Sequence, residues 1–378
     1  MTLPVHTGTS ACAILGNLVY CLPLAGMLGV GMTSIRQEGL MQSQHARQCS
    51  RRTFLGGLTL AGTAGLLGVH PRPVTAEPSP ETTTLRLART TSICQAPQYI
   101  VEDLLEAEGF TDVQFVGVAA AADKTLVSGD AHMGMLFLGP FLRHLDAGAP
   151  LVILSGGHVG CLELFAHEPI RSVRDLKGRS VAVVALGDAR HIFLAMLMAY
   201  VGLDPRKDVT FVAHPDHEAM RLFEAQQVDA YIASPPTAQE LRAKHIGHVV
   251  VNSSMDRPWS QYFCCVVAGH QEFVRKNPVA TKRALRAILK GANICALEPE
   301  RAARSLVNKG LAQHYDYALQ AMKDVPYGKW REYAPEDTVR FYALRLHEVG
   351  MLKSTPQKLI AQGTDWRFLN ELKKELKE

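Results

Sequence analysis

The chain has 378 residues, with 40 Lys and Arg against 36 Asp and Glu and a formal net charge of +4. That excess sits in the first 76 residues, where Arg36, Arg47, Arg51, Arg52 and Arg72 face only Glu38; the rest balances at 40 minus 5, or 35, basic against 36 minus 1, or 35, acidic residues. A balanced body excludes nucleic acid or an anionic membrane surface as a charge-driven partner, and a body of about 300 residues exceeds what one core usually supports, so two lobes are expected.

Ser50-Arg51-Arg52-Thr53-Phe54-Leu55, the uncharged run 56–69 and Val74-Thr75-Ala76 follow the order of a twin-arginine export signal: charged region, apolar run, small-residue cleavage site. Glycines at 56, 57, 62, 65 and 68 make this stretch a poor membrane span. An earlier apolar run, 11–32, has the length of a transmembrane helix, but Met41 offers a start that yields an ordinary signal over 41–76 and makes 1–40 a misread start. The expected location is the periplasm, reached through the twin-arginine translocase. Beyond the leader the cysteines are Cys94, Cys161, Cys264, Cys265 and Cys295, an odd number without CxxC spacing and so not a disulfide framework.

From residue 84 short β-rich runs alternate with helical segments, the pattern of a mostly parallel α/β sheet. Strands are predicted at 84–90, 112–118, 131–136 and 151–155, with helices at 97–109, up to 129, and at 138–147. Gly156-Gly157 then reads as flexible backbone at a lobe boundary. The second set predicts strands at 179–184, 209–213, 228–233 and 248–251 and helices at 188–201, 217–226 and from Pro235-Pro236 to 244. An apolar strand at 261–268 returns, and the chain is almost wholly helical from 271, with 371–378 a solvated, fraying end. Residues 84–156 with 264–378 form one expected lobe and 157–263 the other.

These segments resemble the periplasmic substrate-binding proteins of ABC importers for nitrate, aliphatic sulfonates, taurine and thiamine-pyrimidine precursors. The matching pieces are 85–98, 126–134, 146–150, 173–178, 202–205, 228–230 with Ser234-Pro235-Pro236, and Asn277-Pro278 opening a helix. The resemblance implies a type II periplasmic-binding-protein fold, two α/β lobes with two hinge crossings and a helical C-terminal region. It also implies a solute receptor, not an enzyme, that closes on a small polar organic molecule, a sulfonate, pyrimidine or related compound. It would act as a monomer and deliver its ligand to an ABC permease and its ATPase. The alternatives are an enzyme on the same fold, resembling the thiamine-pyrimidine synthase that uses pyridoxal phosphate and iron, and a periplasmic ligand sensor.

Ligands of open α/β sheets bind beyond the carboxyl ends of strands. That places Thr91, Ser92, Ile93, Cys94 and Gln95 at the cleft after the first strand, with Phe137, Gly139 and Pro140 after the third. Gly157 and His158 belong to the hinge, and Leu186, Gly187, Asp188, His191 and Ser234 to the second lobe. Where the resembling family commonly carries small hydroxyl residues, Asp188 stands; it caps the following helix and disfavours an inorganic anion. Trp259 and Tyr262 either stack on a planar ligand or pack around the hinge strand, whose alternation puts Cys264 and Cys265 on opposite faces.

Cys94, His158, Cys161, His191, His214, His217 and Cys264 could converge in three dimensions on a metal, but His214-Pro215-Asp216-His217 is the only compact cluster, it lacks a second ligand pair at metal-site spacing, and a helix cap by Asp216 explains it more simply. No metal or other cofactor is therefore expected. Gly-x-Ser-x-Gly, His-Glu-x-x-His, phosphate-loop and dinucleotide motifs are absent.

Overall fold

The computed structural model describes residues 12–14, 19–21, 77–90, 92–117 and 121–377. The export-signal segment and Thr91 lie outside the described residues. Within the unit Met1–Thr75, β1 (Cys12–Ile14) pairs antiparallel with β2 (Val19–Cys21). No helix among the described residues is long and apolar enough to cross a membrane.

The unit Ala76–Glu378 is built on two five-stranded sheets. Strands β3 (Thr84–Ala88), β4 (Asp112–Val116), β5 (Met133–Phe137) and β6 (Leu151–Val159) belong to the first. β7 (Glu163–Ala166), β8 (Arg179–Val183), β9 (Val209–Ala213), β10 (Ala230–Ala233) and β11 (His248–Asn252) make the second, and β12 (Phe263–His270) returns to the first. The orders are β4-β3-β5-β12-β6 and β11-β7-β10-β8-β9. Helices connect the parallel pairs, as parallel pairing requires. β12 runs antiparallel to β5 and β6, and β7 antiparallel to β10 and β11, because each enters its sheet from the other lobe.

The chain therefore crosses between lobes twice, at 160–162 and at 253–262. The crossings are tied together: Leu162 N–H donates to Ser253 Oγ at 2.9 Å, and Ser253 N–H donates to the Leu162 carbonyl at 3.0 Å. This is the two-lobed architecture the sequence predicts, with two revisions. The sequence pattern does not mark β7, which is only four residues long, wholly buried, and without the alternation of a half-exposed strand. Gly156 and Gly157 are not a loose boundary, since β6 runs through them to Val159, paired with β12. They are glycines because a Cβ on Gly156 would fall 2.3 Å from the Phe263 ring and one on Gly157 would fall 2.9 Å from Met135 Cε.

From Gln271 the chain is helical, as expected. Prolines open four of these helices, at Pro278, Pro299, Pro335 and Pro356, where the missing N–H costs nothing. The final helix, Arg367–Glu375, is docked rather than fraying: Glu371 pairs with Lys282 at 2.9 Å, and Glu375 pairs with the same lysine.

Candidate functional site

β3 ends in a tight 3-10 segment, Ile93–Gln98, all of it buried. Gln98 fixes it against the sheet, donating to the Ala88 carbonyl at 3.1 Å and accepting from Met135 N–H at 2.8 Å. This anchoring presents Ser92, Ile93, Cys94 and Gln95 at the junction of the lobes, where Ser92 Oγ donates to the Pro235 carbonyl of the second lobe at 3.1 Å. All four are under 5% exposed, and Ser92 is the one of them whose hydrogen bond reaches the second lobe's Pro235.

Beside them stands a cluster that brings together Cys94, His158 and Cys161, whose convergence the sequence left open and did not favour, with Cys265, which it did not include. The Sγ atoms of Cys94, Cys161 and Cys265 and a ring nitrogen of His158 all lie within 4.8 Å of one another, and every member is buried. Cys264 joins from the side, its Sγ 3.6 Å from that of Cys161. Strict alternation would send Cys264 and Cys265 to opposite faces. The β12–β6 register instead slips between Phe263 and Cys265 and again between Cys265 and Val266, and such a bulge re-aims side chains. Cys161, in the first crossing, has φ +120, a conformation rarely adopted by a residue with a side chain.

The thiols and the imidazole share their protons unevenly. Hydrogen bonds from Cys161 and Cys265 draw the Cys264 thiol down to about 5, while burial pushes Cys161 and Cys265 well up. Burial opposes ionisation of Cys94, but hydrogen bonds from Cys161 and Cys265 and the His158 charge outweigh it and hold Cys94 well below the usual thiol range. His158 lies on β6, not in the crossing, and is fully buried.

The second lobe contributes a charged network. Asp188 caps the helix Ala189–Tyr200, accepting from His191 N–H at 2.9 Å, as its sequence position predicts. Burial raises its carboxyl above the ordinary value. Gly187 N–H does not point free at a ligand; it donates to His191 Nδ1 at 3.0 Å, and burial with the nearby Arg143 charge keeps that imidazole's affinity for a proton low. Arg190, which sequence reasoning missed, lies 3.6 Å from Asp188 and 3.3 Å from Asp216 and donates to Ser234 Oγ at 2.7 Å. A basic residue in the first turn after an acidic cap is the signal that marks it. Asp216 is not a cap: it is the first residue of its helix, and its carboxylate accepts from Tyr231 and Thr237.

Phe137 and Gly139 face Ile192 and Phe193 across the lobes, and the space left among them, Cys264 and Tyr342 is about 10 Å³, room for about one water molecule. The two lobes are in direct contact here, a Cβ on Gly139 falling 2.7 Å from Ile192 Cγ2. A larger groove of about 750 Å³ is lined by residues 297–309 of the C-terminal helices alone. Trp259 and Tyr262 belong to the packing around the hinge. Trp259 meets Phe193, Tyr200 and Phe341 edge-on, and Tyr262 stacks on Phe341 with ring centres 3.9 Å apart.

The fold is similar to that of several solved proteins. Periplasmic nitrate-binding protein NrtA from Synechocystis PCC 6803 superposes with a TM-score of 0.68 at 15% identity, covering 79% of this chain and 90% of that one. The periplasmic aliphatic sulphonate binding protein SsuA from Escherichia coli gives 0.61 at 18% identity, covering 73% and 91%. A Candida albicans protein described as exhibiting the generic periplasmic binding protein fold gives 0.60 at 14% identity, covering 75% and 96%. No curated protein sequence matches the chain. A family model does match, over residues 79–309, a span that takes in both sheets and both crossings, and the chain belongs to the NMT1-like family.

Proposed function

We propose that this protein is the extracytoplasmic solute-binding component of an ABC import system, capturing a small polar organic molecule between its lobes and handing it to a permease and its ATPase. The observation that carries the reading is the closed junction of two α/β lobes joined by two crossings, with the carboxyl ends of β3, β5, β8 and β10 supplying Ser92, Phe137, Asp188 and Ser234 around it. The body carrying β3–β6, β12 and the C-terminal helices and the body carrying β7–β11 move about the crossings at 160–162 and 253–262, and a ligand that touches both only when they meet drives closure. The twin-arginine segment 41–76 would export the chain to the periplasm, where it works as a monomer.

Asp188 and Asp216 are matched by Arg190 and, across the junction, by Arg143 beside Gly187 and His191, a mixed lining that favours a polar organic ligand with its own donors and acceptors over a bare inorganic anion. The test is a thermal-shift screen of sulfonates, pyrimidines, amines and aromatic acids, followed by small-angle scattering with and without each hit. A ligand that raises the melting temperature and shrinks the radius of gyration supports the reading. A chain that neither binds such molecules nor changes its dimensions contradicts it.

A further inference from the structure

We propose that Cys94, His158, Cys161 and Cys265 form a binding site for one d10 metal ion of thiolate preference, Zn(II) or Cu(I). Four ligand atoms from three separate stretches of chain meet within 4.8 Å inside the protein. Four tetrahedral ligands at bond lengths of about 2.0–2.3 Å stand about 3.3–3.8 Å apart, so the site needs only a small contraction to close on an ion.

His158 is prepared for this role. Its Nδ1–H donates to the Val159 carbonyl at 3.3 Å, which leaves the Nε2 lone pair as the free one, and Nε2 is buried with no hydrogen-bond partner among the described residues. A metal-ligating imidazole presents this arrangement, one nitrogen held by the backbone and the other turned to the ion.

Cys161 supplies the second observation. Its left-handed backbone, at φ +120, is strained for a cysteine, and strain of this kind collects where a side chain must be aimed. The outer contacts suit bound thiolates. Gln95 Nε2 donates toward Cys265 Sγ at 3.7 Å, and Ser92 Oγ lies 3.1 Å from Cys94 Sγ.

Three sulfurs and one nitrogen, with no carboxylate among them, select against Mg(II), Ca(II) and Mn(II) and for Zn(II) or Cu(I). On binding, each coordinating thiol loses its proton to solvent and the imidazole binds neutral. The ion would tie the turn after β3 to both hinge strands, β6 and β12, at the foot of the lobe junction. This inference does not depend on what the cleft carries.

The full chain, purified without chelator or histidine tag, is assayed for metal by mass spectrometry, then stripped and titrated with Co(II) under reducing conditions. One equivalent of zinc or copper per chain is expected, which tells the two ions apart, together with thiolate-to-cobalt charge transfer that saturates at one Co(II). Cys161→Ser and His158→Ala should each weaken metal binding at least ~tenfold, while Cys295→Ser, a buried cysteine outside the cluster, should not. If the ligand variants do not fold, the cobalt spectrum of the unaltered protein decides. Absence of charge transfer, metal content far below one equivalent after loading, undiminished binding in both ligand variants, or an intact mass showing a Cys161–Cys264 disulfide would overturn the proposal.

Discussion

Gly139 of the first lobe and Ile192 of the second pack so closely that a Cβ on the glycine would lie 2.7 Å from Ile192 Cγ2. The contact exists only when the lobes meet, so a larger residue at 139 acts on closure rather than on folding. Overpacking of this kind costs about 1–3 kcal/mol. Gly139→Val should therefore shift the population toward an open form with a larger radius of gyration in small-angle scattering, at a nearly unchanged urea midpoint. Ile192→Ala in the same chain should restore the compact form. Equal scattering from the wild type and Gly139→Val would show that this contact does not report lobe closure.

Arg190 joins two carboxylates that belong to different secondary-structure elements, Asp188 at a helix cap and Asp216 at the start of the next helix. Removing the guanidinium leaves both acids in a poorly hydrated place, where breaking a buried pair costs about 3–5 kcal/mol. Because Asp216 is partly solvated, Arg190→Met should lie near the lower end, and adding Asp216→Asn should recover part of the loss. Asp188→Ala should cost about 1 kcal/mol through the lost cap. Denaturant midpoints of the single and double variants measure the coupling, and strict additivity of Arg190→Met and Asp216→Asn would show that the pair does not act as a unit.

Much of this arrangement is legible in the residues and part of it is not, for physical reasons. β8 and β9 read clearly because β-branched runs end at turn residues, and Asp188 was recognisable because capping is a local interaction spanning three residues. The thiol cluster depends on where three distant stretches meet and on a bulge at Cys264 and Cys265, and neither leaves a trace in spacing. Gly156 looked like a hinge, yet its meaning lies in the Phe263 ring on a strand more than a hundred residues later.

Trp259 separates the two meanings an aromatic residue near a hinge can have. It is 3% exposed and edge-on to three rings, so its loss leaves a cavity rather than an empty ligand platform. Trp259→Ala should destabilise by about 3–5 kcal/mol and leave the dissociation constant of any ligand found by thermal shift within about twofold, a change under about 0.5 kcal/mol. A tenfold loss of affinity with an intact melting temperature would place the ring in the binding site instead.

Glu163, the first residue of β7, gives the fold a pH dependence of its own. Its carboxylate lies 3.6 Å from Arg242, which also binds Asp324 at the end of a C-terminal helix, and Gln239 donates to the same aspartate at 3.0 Å. Burial, reinforced by the Asp324 charge and only partly offset by Arg242, lifts Glu163 from 4.5 to about 7. The folded state thus holds a proton that the unfolded chain releases, and between pH 4.5 and about 7 stability falls as pH rises. At about 1.4 kcal/mol per pH unit the loss by pH 8 approaches about 3 kcal/mol. Glu163→Gln keeps the shape and cannot ionise, so its stability should exceed that of the wild type at pH 8 and converge with it near pH 5. Urea unfolding of both proteins across this range checks the sign, and parallel curves would mean that Glu163 is ionised throughout and paired with Arg242.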